Sequence, residues 1–188
     1  MPGTPYDLET LVPGFTLGDY GLLAASFDPI LASAGTANTG GTLQGVRVRN
    51  PNGSPIHATG VVVVVQTAGA TLTASQNWAA VYREAGTLIG QTTDATTAFG
   101  STGFKQLPFS TPLVIPPGQK LYIVVNSVGT TPVSLARAAA TGATSGVNAA
   151  LAAANSRFFT ANTSQTTTAP PTIATPAAST LAIFAGLY

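Results

Sequence analysis

The sequence has no cysteine, little charge and no long apolar run. Without cysteine there is no disulfide framework, no thiolate zinc site and no thiol nucleophile. A chain of 188 residues buries roughly 70% of the surface its unfolded form exposes, so it can fold without such staples. Charged residues make up 7% of the chain, seven basic and six acidic, where soluble domains ordinarily carry ~25%. The basic residues Arg47, Arg49, Arg83, Lys105, Lys120, Arg137 and Arg157 are scattered along the sequence, which argues against a nucleic-acid-binding field. The longest strongly apolar stretch, Val61–Val65, falls far short of the ~20 residues a spanning helix needs, so no membrane insertion is expected. The N-terminal MPGTPYDLETLVPG has neither a basic start nor an apolar core, so no secretory signal is expected.

Groups that carry chemistry are equally sparse. The single histidine, His57, lies where a turn enters a strand, and no G-x-S-x-G frame accompanies it. A glycosidase needs two facing carboxylates. Of the six present, Asp7, Glu9 and Asp19 precede the first strand signal, Asp28 starts a turn, and Glu84 sits in a hairpin. Asp94 stands in a polar loop beside a strand end, where capping its own backbone is the simplest role. One histidine, no cysteine and dispersed aspartates make no transition-metal cage, and no D-x-D-x-D-G calcium loop occurs. Gly40-Gly41 and the glycines at 142 and 146 lack the lysine and βαβ setting of a phosphate cradle. The reading is therefore a non-enzyme, with no catalytic residue, metal or cofactor.

What the chain does contain is apolar residues, at 45%, with a mean hydropathy of +0.32, which excludes compositional disorder. Its net charge of +1 favours self-association, which fits a protein that lives packed in an assembly. Twenty glycines and 14 prolines punctuate the chain roughly every 8 to 15 residues, the spacing of short strands joined by turns. Strands are expected at 21–27, 42–49, 56–67, 77–83, 86–91, 104–109, 120–126 and 179–187, with a proline-bounded edge segment at 111–118. The five valines of 61–65 mark a strand covered on both faces, because β-branched side chains lose rotamer freedom in a helix. Residues 127–176 lose periodicity and read as a long late loop insertion, with helical turns around Val147–Ala154 and a brief strand or an anchor at Arg157–Phe159.

The expected fold is all-β, an eight-stranded antiparallel β-sandwich of the jelly-roll kind over residues 21–188. An immunoglobulin-like sandwich is the rival, but it needs only ~100 residues. Residues 1–20, with three prolines and no periodicity, read either as an extended arm or as a disordered tail. Leu8, Leu11, Val12, Phe15 and Leu17 favour an arm that docks. Trp78 and Tyr82 share a strand face with Ala80 between them, a spacing that fits core packing first and a sugar-stacking platform second. Tyr122 is open to the same two readings.

The middle of the chain holds Trp78-Ala-Ala-Val-Tyr82, Gly86-Thr-Leu-Ile-Gly-Gln-Thr92, Asp94, Phe99, Ser101-Thr-Gly103, Lys105 and Thr111-Pro112. They are followed by Leu135-Ala-Arg-Ala138, Asn148-Ala-Ala-Leu151 and Arg157-Phe-Phe-Thr-Ala-Asn-Thr163. Together these residues resemble a recurring block in small jelly-roll proteins of tailed bacteriophages. The resemblance implies a structural virion protein assembled in the host cytoplasm, a homo-oligomer on the tail or particle surface. Its partners would be a tail or major capsid protein, and it could contribute to host attachment. It transfers no catalytic residues. Two alternatives stand beside the tail location: a capsid decoration protein, and a carbohydrate-binding module that contacts host-surface glycans through Trp78, Tyr82 and Tyr122.

Overall fold

The computed structural model describes residues 16–138, 151, 156–174 and 176–188. Among these the fold is all-β and antiparallel, with only short helical turns. In chain order the strands are β1 (Ala24–Ala25), β2 (Ala32–Ala37), β3 (Leu43–Arg49), β4 (Ile56–Thr67), β5 (Ala70–Leu72), β6 (Trp78–Arg83) and β7 (Leu88–Gln91). They continue with β8 (Gly103–Ile115), β9 (Lys120–Asn126), β10 (Gly129–Thr131), β11 (Ser134–Ala138), β12 (Phe158–Ala161), β13 (Ala177–Ala178) and β14 (Ala185–Leu187). The front sheet runs β13-β12-β3-β9-β6-β7; the back sheet runs β1-β14-β4-β11-β2, with β8 along the other edge of β4. A separate ribbon pairs β5 with β10.

Side-chain parity explains how the sheets meet. Val61, Val63 and Val65 of β4 point inward against Val46 and Val48, Ala79 and Val81, and Leu121, Ile123 and Val125 of the front sheet, all essentially buried in one core. The valine run is covered on its other face as well, since Val62 is only 4% exposed. Four pairings nest inside one another along the sequence: β6 with β7, β4 with β8, β3 with β9, and β2 with β11.

Several expectations need correction. There are fourteen short strands among the described residues rather than about eight. Residues 104–109 and 111–118 are not two segments, because a single β8 passes through Pro108 and Pro112. It can do so because it lies on the sheet edge and its register with β4 shifts between Ala58 and Gly60. The strand expected at 21–27 shrinks to Ala24–Ala25, and that at 179–187 to Ala185–Leu187. β2, Ala-Ser-Ala-Gly-Thr-Ala, has no apolar alternation to read. Its small residues suit the close approach of the chain at Gly35, where a Cβ would lie 2.9 Å from Cγ of Gln66. Within the late insertion β11 joins the back sheet, where no strand is expected, while β12 joins the front sheet, where a brief strand or an anchor is expected at Arg157–Phe159. Of the helical turns expected at 147–154, only Leu151 lies within the described residues. The polar link after β7 instead holds one helical turn, α1 (Thr96–Phe99), preceded by Asp94, whose Oδ1 accepts the Thr96 N–H.

The arm boundary also moves. Thr16 donates to the Asp19 carboxylate from its N–H and its hydroxyl, closing a 3₁₀ turn over Leu17–Tyr20. Leu17 packs half-buried against the main core, so residues 16–20 belong with the domain. Leu8, Leu11, Val12 and Phe15 lie outside the described residues. No helix among the described residues is long and apolar enough to cross a membrane.

Gly45 of β3 faces the Phe159 ring so closely that a Cβ would sit 2.2 Å from its Cζ. Gly45→Ala is therefore expected to destabilise the chain by about 1–3 kcal/mol through overpacking. Urea denaturation checks this, and an unchanged midpoint would mean that Phe159 can move aside at no cost.

Candidate functional site

The outer face of the front sheet, the side away from the main core, divides into two halves. One half is aromatic. Trp78, Ala80 and Tyr82 of β6, Tyr122 and Val124 of β9, Leu43 of β3 and Phe159 of β12 form a second buried cluster. Residues 163–174 cover it as an irregular strap that contributes Ala169 and Ile173. Thr and Pro in the strap carry no strand or helix period, so its backbone must find partners elsewhere, and the aromatic tips supply them. Trp78 Nε1–H donates to the Thr166 carbonyl at 2.7 Å, and the Tyr82 hydroxyl to the Pro170 carbonyl at 2.9 Å. Gln91 donates from its amide to the Thr167 carbonyl and accepts the Ala169 N–H. The strap then runs beside the chain at β7, with Leu88 N–H donating to Pro171 and Ile173 N–H to Gly86. Tyr122 meets Phe159 edge-to-face at 4.9 Å between centroids.

The three residues singled out as sugar contacts are thus core. Trp78 is 1% exposed, Tyr82 0% and Tyr122 2%, and no ring face is open for a pyranose to stack on. The platform reading is corrected by the strap, whose lack of periodicity hid its destination in the sequence. Burial raises the Tyr82 phenol well above its ordinary pKa. Tyr122 is raised too, chiefly by desolvation; Arg47 works against that shift and Glu84 adds to it.

The other half of the face is charged and uncovered. Arg47 and Arg49 end β3 and Lys120 begins β9 on this face; Glu84 follows β6, whose last residue, Arg83, stands opposite Leu121 and so belongs by alternation to the other side of the sheet. The register sets Arg49 directly opposite Lys120 and Arg47 opposite Tyr122. Glu84 pairs with Arg47 and lies 3.7 Å from Lys120 Nζ. Arg83, Glu84, Ala85, Gly118, Gln119 and Lys120 line a shallow, open depression of about 560 Å³. Two turns frame it, and buried Asn50 ties one of them, the turn that carries Gly118 and Gln119, to the loop after β3. Its amide donates to the Ser54, Ile115 and Pro116 carbonyls, and its oxygen accepts the Asn52 N–H.

This cluster is what the sequence reading missed. The basic residues look scattered along the chain, yet four of the seven converge once β3, β9 and β6 are adjacent. The available signal was the alternation that puts Arg47 and Arg49 on the same side as Leu43 and Gly45. A strand face that turns from apolar to cationic ends at a surface.

The remaining polar groups have local roles. Asp28 accepts the Ile30 N–H at the start of a 3₁₀ turn, Asp19 closes the turn with Thr16, and Asp94 accepts the Thr96 N–H two residues on, just ahead of α1. His57 is exposed on β4 opposite Val114. Among the described residues no three His, Asp or Glu side chains gather as metal ligands. No model of a known protein family matches this chain, and no curated protein matches it either.

Two measurements follow. The emission of Trp78, the only tryptophan, is expected at the blue end of its range and unmoved by neutral cell-wall sugars; a red-shifted or sugar-sensitive spectrum would mean the strap is open in solution. The second concerns alkaline pH. Because the folded pKa of Tyr82 lies above its ordinary 10.0, its contribution to stability is complete below pH 10 and is lost as pH rises beyond it. Tyr82→Phe should cost about 1 kcal/mol at neutral pH by removing the bond to Pro170, and should flatten the fall in stability above pH 10. Urea midpoints across pH 7–11 test both, and identical alkaline slopes in the two proteins would refute the assignment.

Proposed function

We propose that this chain is a non-enzymatic structural protein of a tailed-phage particle, an oligomeric jelly-roll building block on the tail or particle surface. The observation that carries the reading is the nested pairing of β2 with β11, β3 with β9, β4 with β8 and β6 with β7. Pairing in this nested order supports a jelly-roll reading, with the remaining short strands as additions to it. That fold serves as a packing unit in capsids, although fold alone does not define a function.

The block that carries the phage resemblance supports the same reading, because its residues are spent on architecture. Trp78 and Tyr82 anchor the strap, Gln91 binds it, Asp94 caps a turn, and Phe159 fills the outer cluster. A motif that builds a fold marks a relationship of fold rather than an activity. The carbohydrate-binding alternative loses its aromatic platform to burial.

Quantitative mass spectrometry of purified particles of the encoding phage tests the proposal. A structural role requires the chain to be present. A few to some tens of copies would place it on the tail, while hundreds would make it a capsid decoration protein. Absence from the particle overturns the proposal.

A further inference from the structure

We propose that the charged end of the front sheet is a binding site for an oxyanion ligand, a molecule presenting phosphate or carboxylate groups to the guanidiniums of Arg49 and Arg83 and the ammonium of Lys120. The inference does not depend on a virion role, since it concerns the isolated chain.

The first argument is electrostatic. Arg49 and Lys120 stand directly opposite each other across β3 and β9, so both point to the same face. Like charges in that position destabilise a sheet. Arg47 shares that face, and Arg83 lines the depression with Lys120; among the described residues this end of the sheet holds these four cations and one carboxylate, Glu84, a net +3 (4 − 1). Glu84 is committed to Arg47 and approaches Lys120. The other described carboxylates, Asp19, Asp28 and Asp94, hold backbone N–H groups of their own turns. In a chain with only seven basic residues, folding has no use for four of them repelling one another at one end. An anion would relieve that repulsion.

The second argument is geometric. The guanidinium is a planar fork that matches the oxygens of a carboxylate or phosphate, and Lys120 adds a compact charge beside it. The depression is kept open by Gly118, whose φ of +67° favours glycine and whose missing Cβ would lie 3.4 Å from Arg49 Nη2. Asn50 fixes one bordering turn, bonding Ile115 and Pro116 through its amide and Gly118 and Gln119 through its backbone. The strap that covers the aromatic half pairs with the chain at Gly86 and does not line the depression.

Titration calorimetry of the full chain at low salt with tripolyphosphate and, separately, with citrate tests the proposal. Saturable one-site binding of either is expected, and the stronger of the two identifies the ligand chemistry. Arg49→Gln combined with Arg83→Gln should weaken binding by about tenfold for each guanidinium removed. Glu84→Gln should tighten it, because the competing carboxylate is gone. Lys105→Gln, the same loss of charge on β8, should leave the affinity unchanged. The thermal midpoint of each variant confirms that it is folded, and the Glu84→Gln gain would hold even if the double variant proved unstable. No binding of either anion, or an equal loss in Lys105→Gln and the arginine variant, overturns the proposal.

Discussion

The Trp78 indole N–H bound to the carbonyl of Thr166, with the Tyr82 hydroxyl on Pro170 beside it, holds an irregular strap over the front sheet, and much of the remaining architecture follows from that cover. A sheet buried on both faces is ordinarily covered by helices or by a second sheet. Here one face has the back sheet and the other has only chain without periodic structure. Such a chain carries backbone donors and acceptors that must be satisfied where water is excluded. Large aromatic side chains meet both needs at once, filling the space beneath the strap and presenting a polar tip to it. This accounts for the continuous burial along β6 and β9 on both faces. It also accounts for Gly45, since β12 lies next to β3 and the Phe159 ring occupies the place of a side chain there.

The same requirement separates what could be read in the sequence from what could not. The boundaries of β4 and β9 are legible because the valines of 61–65 and the run Lys120–Asn126 are strongly apolar and β-branched. β6 is legible because Trp78, Ala80 and Tyr82 alternate with Ala79 and Val81. β2 and β11 escape the same reading. The first is built of alanine, serine, glycine and threonine, and the second enters the back sheet from a stretch with no period. Their strand character comes from partners distant in sequence, Gly35 opposite Ala136 and Thr36 opposite Leu135, and not from local pattern. The strap is the extreme case, since nothing in Thr163–Ala174 announces that it will lie across three aromatic rings.

The candidate site was hidden for a related reason. The separation of Arg47 from Arg83 and Lys120 in sequence says nothing of their separation in space until the order β3-β9-β6 is known. The low charge of the chain makes the convergence more telling. Surface ion pairs add little to stability, so the pair between Arg47 and Glu84 gives no adequate structural reason for gathering three further cations. The other described carboxylates, Asp19, Asp28 and Asp94, are occupied with backbone N–H groups of their own turns, which is how a protein poor in charge ties its turns. The excess at this end is therefore a property of the surface and not of the fold.

The two halves of the outer face share one hinge point. The hairpin after β6 turns at Gly86, whose φ of +87° suits glycine and whose N–H closes on the Arg83 carbonyl. The carbonyl of Gly86 accepts Ile173 N–H from the strap, while Arg83 and Glu84 on the same turn line the charged depression. The bond from Ile173 therefore ties the strap to the hairpin that carries Arg83 and Glu84, and the covered and charged halves of the sheet meet at this one turn.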